Sequence, residues 1–278
     1  MRNQKSILLL AAILLSCDSL SLCREQDEQL TALRKKAEAG DVDAQFNLGV
    51  LYANGQGVER NYSEALKWYR QAAEQNHAAA QNNLGAMYED GQGVGREYAE
   101  ALKWYRQAAE QQLAAAQVNL GLMYANGQGV KQDYAEAARW RRQAAAQNNA
   151  IAAKNLGLMY YRGDGVAKDH AEAARWYRQA AEQNNAAAQN NLGAMYFQGE
   201  GVERDFGQAG KWFRLAADQN IAEAQVKLGI MHANGQGVQK DHVEAVKWYR
   251  KAAEQNEPTA QTTLGVMYAH GQGVETAY

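Results

Sequence analysis

Histidine and cysteine are the residue types best suited to metal binding or nucleophilic catalysis, and the chain has five of the first and two of the second. No two histidines have the spacing that places two metal ligands on one helix face, and no cysteine accompanies them. The sequence therefore predicts no metal site and no catalytic residue. The histidines are His77, His170, His232, His242 and His270.

Paired glycines are a second motif with potential chemistry, because glycine-rich loops can bind phosphate groups. Each loop reads Gly-x-Gly-Val, follows a predicted helix instead of a strand, and lacks the Gly-Lys-Ser/Thr ending of a phosphate-binding loop. We expect structural turns here, and no cofactor. The seven loops begin at Gly55, Gly91, Gly127, Gly163, Gly199, Gly235 and Gly271.

The loops belong to a repeat, because all six tryptophans of the chain stand 36 residues apart, at positions 68, 104, 140, 176, 212 and 248. Such a period is typical of arrays in which each unit buries its apolar face against its neighbours. Six complete repeats are predicted, at 40–75, 76–111, 112–147, 148–183, 184–219 and 220–255. A partial seventh repeat begins at residue 256.

Each repeat is predicted to form two helices, which we call the A helix and the B helix. In the first repeat they span about 42–54 and 62–75, and each carries an apolar stripe at helical spacing. Capping boxes such as Asn61 to Glu64 open the B helices, and Glu97 is the weakest of these caps. A glycine inside every A helix, Gly49 in the first repeat, predicts close approach of the two helices.

The two ends of the array differ from its middle. Residues 24–39 resemble the end of a B helix and are predicted to form a polar capping helix. At the other end an A helix, 257–270, has no following B helix in this sequence, so Leu264, Met267 and Tyr268 are expected to lack cover. We expect this end to fray in preference to docking on a second copy.

The repeated string A-x-x-x-L-G-x-M-Y-x-x-G-x-G-V, followed by D-Y-x-E-A-x-x-W-Y-x-x-A-A, resembles the Sel-like repeat family, a relative of the tetratricopeptide repeats. The match covers 40–278. The resemblance implies an all-α fold, an α–α solenoid with a right-handed superhelix whose A helices line the concave side. It also implies an exported bacterial adaptor, a non-catalytic module that binds a protein or peptide in an envelope complex or faces a host.

An accessory or weak hydrolase is the alternative function. Some cysteine-rich relatives are described as β-lactamases, but their repeats are defined by paired cysteines. Here both cysteines, Cys17 and Cys23, precede the array. The sequence therefore favours a protein that is not an enzyme.

The N-terminus is typical of an export signal. Arg2 and Lys5 precede nine apolar residues, 7–15, a run too short to span a bilayer. We predict a signal peptide over 1–23, followed by the capping helix and the array. The segment 14–17 resembles a lipobox, which would make Cys17 a lipid-modified first residue; ordinary cleavage near 19–21 is the alternative. The protein is expected to be periplasmic or membrane-anchored as a lipoprotein, or else secreted.

The charge of the chain indicates the class of partner. A net charge of −2 argues against nucleic-acid binding, which depends on basic surfaces. Lysine and arginine fall mostly on B helices beside glutamates, as expected for a solvated face. We expect a protein or peptide partner, membrane contact only through a lipid anchor, and a monomer.

Positions that vary between repeats indicate where a partner binds. Aromatic residues combined with arginine are typical of binding hot spots, although drift at unconstrained surface positions is the alternative. A repeated asparagine, beginning at Asn47, could instead clamp a peptide backbone, but a structural bond to a neighbouring repeat's turn is favoured. The predicted partner-binding residues are Lys154, Tyr161, Arg162, Asn190, Phe197 and Gln198.

Overall fold

The computed structural model describes residues 27–273, and within them the fold is entirely helical, with no strand. Helices account for 73% of these residues, which confirms the all-α repeat fold. Helix α1 covers 27–38 of the described chain. The A helices are α2 (Val42–Asn54), α4 (Ala78–Asp90), α6 (Ala114–Asn126), α8 (Ala150–Arg162), α10 (Ala186–Gln198), α12 (Ala222–Asn234) and α14 (Pro258–Ala269). The B helices are α3 (Tyr62–Glu74), α5 (Tyr98–Glu110), α7 (Tyr134–Ala146), α9 (His170–Glu182), α11 (Phe206–Asp218) and α13 (His242–Glu254). The predicted signal peptide and Cys17 lie outside the described residues.

The described chain divides into two compact units. Unit 1 covers 27–116 and 128–131, and unit 2 covers 117–127 and 132–273. Within each unit, consecutive helices pack on one another, most extensively where an A helix meets the B helix of its own repeat. This pairing is the stacked helical hairpin that the tryptophan period predicts.

The helix ends follow the predicted capping pattern. Asn61, Asp133, Asp169, Asp205 and Asp241 each accept a hydrogen bond from a backbone N–H in the first turn of the following B helix. Glu97 makes no such side-chain bond, which confirms it as the weakest cap. After each B helix one residue adopts positive φ, and five of these six residues are asparagine.

From the second loop onward, the second glycine of the loop lies close to the previous repeat, whereas Gly57 of the first loop has no atom within 4 Å. At Gly237 the backbone has φ of 69°, and an added Cβ would lie 2.6 Å from the carbonyl oxygen of Phe206, the first residue of α11. A side chain is thus excluded both by conformation and by space. Equivalent close approaches occur at Gly93 in unit 1 and at Gly165, Gly201 and Gly273 in unit 2.

The glycine inside each A helix makes room for a ring from the B helix of the same repeat. A Cβ added at Gly193 would lie 2.8 Å from the ring of Phe213, and one added at Gly157 would lie 2.8 Å from the ring of Tyr177. The predicted close approach is confirmed, and its cause is an aromatic ring lying on the glycine. Two positions differ: Gly121 lies against the side chain of Arg141 and not a ring, and Gly265 has no atom within 4 Å.

The tryptophans are buried in five of the six repeats, as the repeat period predicts. Trp212 is only half-buried. Its helix α11 also carries Gly210 where other B helices have leucine, alanine or valine, which leaves an open apolar groove of about 760 Å³ lined in part by Leu215 and Val238.

The last described helix corrects one expectation. Leu264 and Met267 of α14 are buried, because they join an apolar cluster with residues of α12 and α13, including Val226 and Val246. The preceding B helix already covers them, so they do not need a following one. Tyr268 is exposed, as expected.

Candidate partner-binding site

A pocket of about 220 Å³ opens beside the A helices of unit 2 and contains two of the predicted partner-binding residues, Tyr161 and Gln198. Three apolar side chains contribute to its wall: Leu158 from α8, and Ala194 and Met195 from α10. Polar groups from α8, α9, α10 and α12 complete the lining. A small apolar pocket with a few polar groups is the usual form of a specific binding site.

Tyr161 is held in place from two sides. Its hydroxyl donates a hydrogen bond to Oε2 of Glu200 at 2.8 Å, and its ring stacks on His170 with 4.8 Å between the ring centroids. The hydrogen bond to the Glu200 carboxylate, with a smaller effect of burial, raises the pKa of the Tyr161 phenol. The phenol therefore stays neutral at physiological pH and fixes the Glu200 side chain near the pocket.

Tyr177 and Asn191 line the pocket together. Burial raises the pKa of Tyr177 to about 12, and a hydrogen bond with the side chain of Asn191 opposes that shift. Asn83 and Tyr69 form the same pair in unit 1. In these two repeats the asparagine therefore has a structural role, which is the interpretation that the sequence favours. It bonds to a tyrosine of the preceding repeat, whereas the sequence predicts a bond to a turn.

Asn190 reaches the next repeat. Its side chain is 5% exposed, and its Nδ2 donates to Oε2 of Glu223 at 3.0 Å. Glu223, in the first turn of α12, is exposed and lines the pocket. Asn190 thus positions a carboxylate of the pocket, while its own side chain offers little surface to a partner.

The other predicted residues lie in different surroundings. Arg162 is exposed in the last turn of α8, and Lys154 is half-buried earlier in that helix. Phe197 is half-buried and packs edge-on against Phe206 and Phe213, with centroid distances of 5.2 and 6.3 Å. Of the six residues, only Tyr161 and Gln198 line the pocket.

Sequence reasoning missed Glu200 and Glu223, the two carboxylates at this site. Each is bonded to a side chain more than thirty residues earlier, by Tyr161 and Asn190 respectively. Only the stacking of successive repeats brings them together. Comparing equivalent positions would have marked Glu223, because the first turns of the other six A helices have alanine, isoleucine, threonine or aspartate there.

The described residues offer neither a metal site nor a membrane-spanning helix. Between residues 27 and 273 no group of three or more histidine, cysteine, aspartate or glutamate residues is placed to hold a metal ion. Within the same residues no helix combines the length and apolarity needed to cross a membrane.

The fold defines a helical repeat protein with a small pocket beside its A helices. The family model described as Sel1 repeat matches seven consecutive segments of the chain. The chain therefore belongs to the Sel1 repeat family, whose members generally mediate protein–protein interaction. The matched segments are 42–77, 78–113, 114–149, 150–185, 186–221, 222–257 and 258–276, two residues later in phase than the boundaries chosen above.

Two solved structures are similar over most of the chain. One is a protective antigen present in uropathogenic Escherichia coli strains that displays an SLR fold, with 39% sequence identity and a TM-score of 0.85 over 88% of this chain and 53% of that one. The other is a Sel1 repeat protein from Oxalobacter formigenes, with 37% identity and a TM-score of 0.73 over 91% of this chain and 73% of that one.

The chain spans about half the length of the E. coli relative. A comparison with curated proteins finds no match.

Proposed function

We propose that the protein is an exported interaction module, and that the A helices of unit 2 bind a protein or peptide partner around the Tyr161 pocket. The carrying observation is the pocket itself, where Tyr161 and Gln198 occupy positions that vary between repeats, beside wall positions that are apolar in every repeat. The general role of Sel1 repeats in protein–protein interaction supports the proposal.

The lining of the pocket indicates which kind of partner side chain it would bind. Leu158, Ala194 and Met195 offer contact to an aliphatic or aromatic group, while Glu223 and the nearby Glu200 offer hydrogen-bond acceptors. A partner side chain with an apolar stem and a donor at its end fits this arrangement, as lysine, arginine and tyrosine do.

Site-specific photo-crosslinking tests the location. A benzophenone amino acid at exposed Gln198 should capture a partner in cells of the source organism. The same group at Glu182, exposed at the end of B helix α9, is the control. Equal capture at both positions, or capture only at Glu182, would place the binding surface elsewhere.

Binding variants then test the pocket. Tyr161→Ala removes a wall residue and should weaken the captured partner by about tenfold or more, the loss typical of an interface hot spot. Tyr161→Phe keeps the ring and loses only the bond to Glu200, so its effect should be smaller. Phe197→Ala is unsuitable, because Phe197 also packs on Phe206 and Phe213.

We also propose that segment 1–23 contains an export signal that ends before Cys17, and that Cys17 carries a lipid; 24–39 then form the cap and 40–278 the array. The basic residues and apolar run of the N-terminus support this, as does the description of the E. coli relative as a protective antigen. Labelled palmitate should enter the wild-type chain and not the Cys17→Ala variant. An unlabelled wild-type chain found outside the cytoplasm would favour the soluble secreted form.

A further inference from the structure

One B helix carries an arginine where the others have a ring. Arg141 of α7 occupies the position held elsewhere by Tyr69, Tyr105, Tyr177, Phe213 and Tyr249. Its side chain is 8% exposed and lies against Gly121 of α6, since a Cβ added there would be 3.1 Å from Arg141 Cγ. The guanidinium group therefore lies between the A helices α6 and α8, where the other repeats place a neutral ring.

This buried cation has no anionic partner in the described chain. Its Nη1 donates a hydrogen bond to the sulfur of Met159 at 3.1 Å, and its Nε is buried without a hydrogen-bond partner. Helices α6 and α8 contain no acidic residue, and the one in α7, Glu136, pairs with Arg139 at 2.9 Å. A buried charge without a partner is costly, so a partner supplied from outside would be bound strongly.

A second cation lies on α8, the helix whose Met159 contacts Arg141. Lys154 of α8 is half-buried and forms no ion pair with a described residue. Burial lowers the pKa of Lys154, and the charge of Arg141 lowers it further, so the two cations repel each other. Other repeats carry an uncharged residue at this position: Phe46, Asn82, Val118, Asn190, Val226 and Thr262.

We propose that Arg141 and Lys154 form a carboxylate-binding site between α6 and α8, which takes an acidic side chain or the C-terminal carboxylate of a protein partner. This proposal rests on the proposed function and adds the chemistry of the partner. A carboxylate is planar, and its two oxygens match two adjacent N–H groups of a guanidinium. The ammonium group of Lys154 supplies a third hydrogen-bond donor.

The site also gives the partner an orientation. The Tyr161 pocket, later along the array, has carboxylates of Glu200 and Glu223 beside it, whereas the Arg141–Lys154 site is cationic. A partner that carries an acidic group and a donor group at the matching separation would be bound in one register. Charge complementarity of this kind contributes mainly to specificity.

The test uses small carboxylates and needs no partner. The Nε–Hε resonance of Arg141 is assigned in ¹⁵N spectra of the full chain by its loss in Arg141→Tyr. N-acetyl-glutamate amide represents an acidic side chain and N-acetyl-alanine a chain terminus. At constant ionic strength at least one of them should shift this resonance in a saturable way, and the tighter binder identifies the source. Neutral N-acetyl-glutamine amide should not shift it.

Two sets of variants distinguish specific carboxylate binding at this site from general attraction to positive charge. Lys154→Asn, which introduces the residue of repeats two and five, should weaken carboxylate binding by about tenfold or more. The matched control, Lys168→Gln with Lys240→Gln, removes two exposed charges of unit 2 and should leave the affinity unchanged. Equal weakening in the control would overturn the proposal.

Two further results would also overturn it. One is a saturable shift with inorganic phosphate and with neither carboxylate. The other is an unchanged or lower unfolding temperature in the double variant Arg141→Tyr, Lys154→Asn, because replacing two unpaired buried cations by the residues of other repeats should raise it. If the carboxylates do not bind but crosslinking at Gln198 captures a partner, the Arg141–Lys154 site is refuted and the proposed function is retained.

Discussion

Gln219 donates a hydrogen bond from its Nε2 to Oε1 of Gln189, thirty residues earlier, at 2.8 Å. Gln189 is 2% exposed, and its own Nε2 donates to the carbonyl of Ala181 at 3.1 Å. One buried amide therefore joins three successive helices, α9, α10 and α11. Pairs at the same spacing include Gln75–Gln45 and Gln111–Gln81 in unit 1 and Gln255–Gln225 in unit 2.

The first prediction concerns this amide. Gln189→Leu keeps the volume but removes side-chain hydrogen bonds, including the one to the Ala181 carbonyl and the one from Gln219. The free energy of unfolding should therefore fall by about 1–3 kcal/mol. Gln261→Leu is the control, because Gln261 is exposed and its equivalent bond, to Ala253, measures 3.4 Å. Urea denaturation of the two variants measures the difference, and equal losses would contradict a role for the buried bond.

The second prediction concerns two glycines at equivalent positions. Gly193→Ala should destabilise the protein, because the new methyl group would overlap the Phe213 ring, which is itself fully buried. Gly265→Ala meets no atom within 4 Å and should be stabilising by up to about 1 kcal/mol, the helix propensity difference between the two residues. Thermal unfolding distinguishes the opposite signs; a loss of stability at both positions would refute the packing argument.

The third prediction compares two tryptophans. Trp248 is 2% exposed, packs in an apolar cluster with Leu228 and Met231, and lies beneath the cations of Arg214 and Lys251. Trp248→Ala should therefore cost about 3–5 kcal/mol of unfolding free energy. Trp212→Ala should reduce the unfolding free energy by clearly less, because Trp212 is only half-buried. Chemical denaturation monitored by circular dichroism gives both values, and a larger loss at Trp212 would contradict the burial pattern.

The fourth prediction concerns alkaline pH. Burial raises the pKa of Tyr177 and of Tyr249 to about 12, and the pKa of Tyr69 and Tyr105 is also raised. Above pH 10 the unfolded chain loses these protons while the folded chain keeps them, so the unfolded state binds fewer protons and stability falls as pH rises.

Each such tyrosine contributes at most about 1.4 kcal/mol per pH unit between pH 10 and its folded-state pKa. The unfolding temperature should be insensitive to these groups below pH 10 and should decrease between pH 10 and 12. Tyr177→Phe should decrease less steeply than the wild type in that window. An identical slope for both proteins would show that the Tyr177 phenol does not contribute.

The repeat fold could be predicted from sequence because its determinants are local. The tryptophan period, the capping residues and the glycine positions each depend on neighbours within one repeat, and even the weak cap at Glu97 was apparent. Half-buried Trp212 could not be predicted in the same way, because its exposure depends on how it packs in the folded unit and not on its own repeat position.

The candidate site was harder to predict, because it is built between repeats. Tyr161 and Gln198 were found from their variable positions, but Glu200 and Glu223 come from the turn after α10 and from the next A helix. Phe197 shares the register of Tyr161, and each packs on the first residue of the following B helix, but only Tyr161 lines the pocket. The sequence alone shows that arginine replaces an aromatic residue at position 141. Only the structure shows that the side chain of Arg141 is buried.

The second loop glycines have a genetic consequence. In unit 2 each of them meets the first residue of the previous B helix, whether that residue is Tyr134, His170, Phe206 or His242. Removal of codons 186–221 would bring Gly237 against His170 and Gln225 against Ala181. The present structure already contains both kinds of contact, at Gly201 and at Gln189. Unequal recombination between repeat-coding segments can therefore change the copy number in frame, deleting or duplicating the Gln198 unit while every remaining junction still fits.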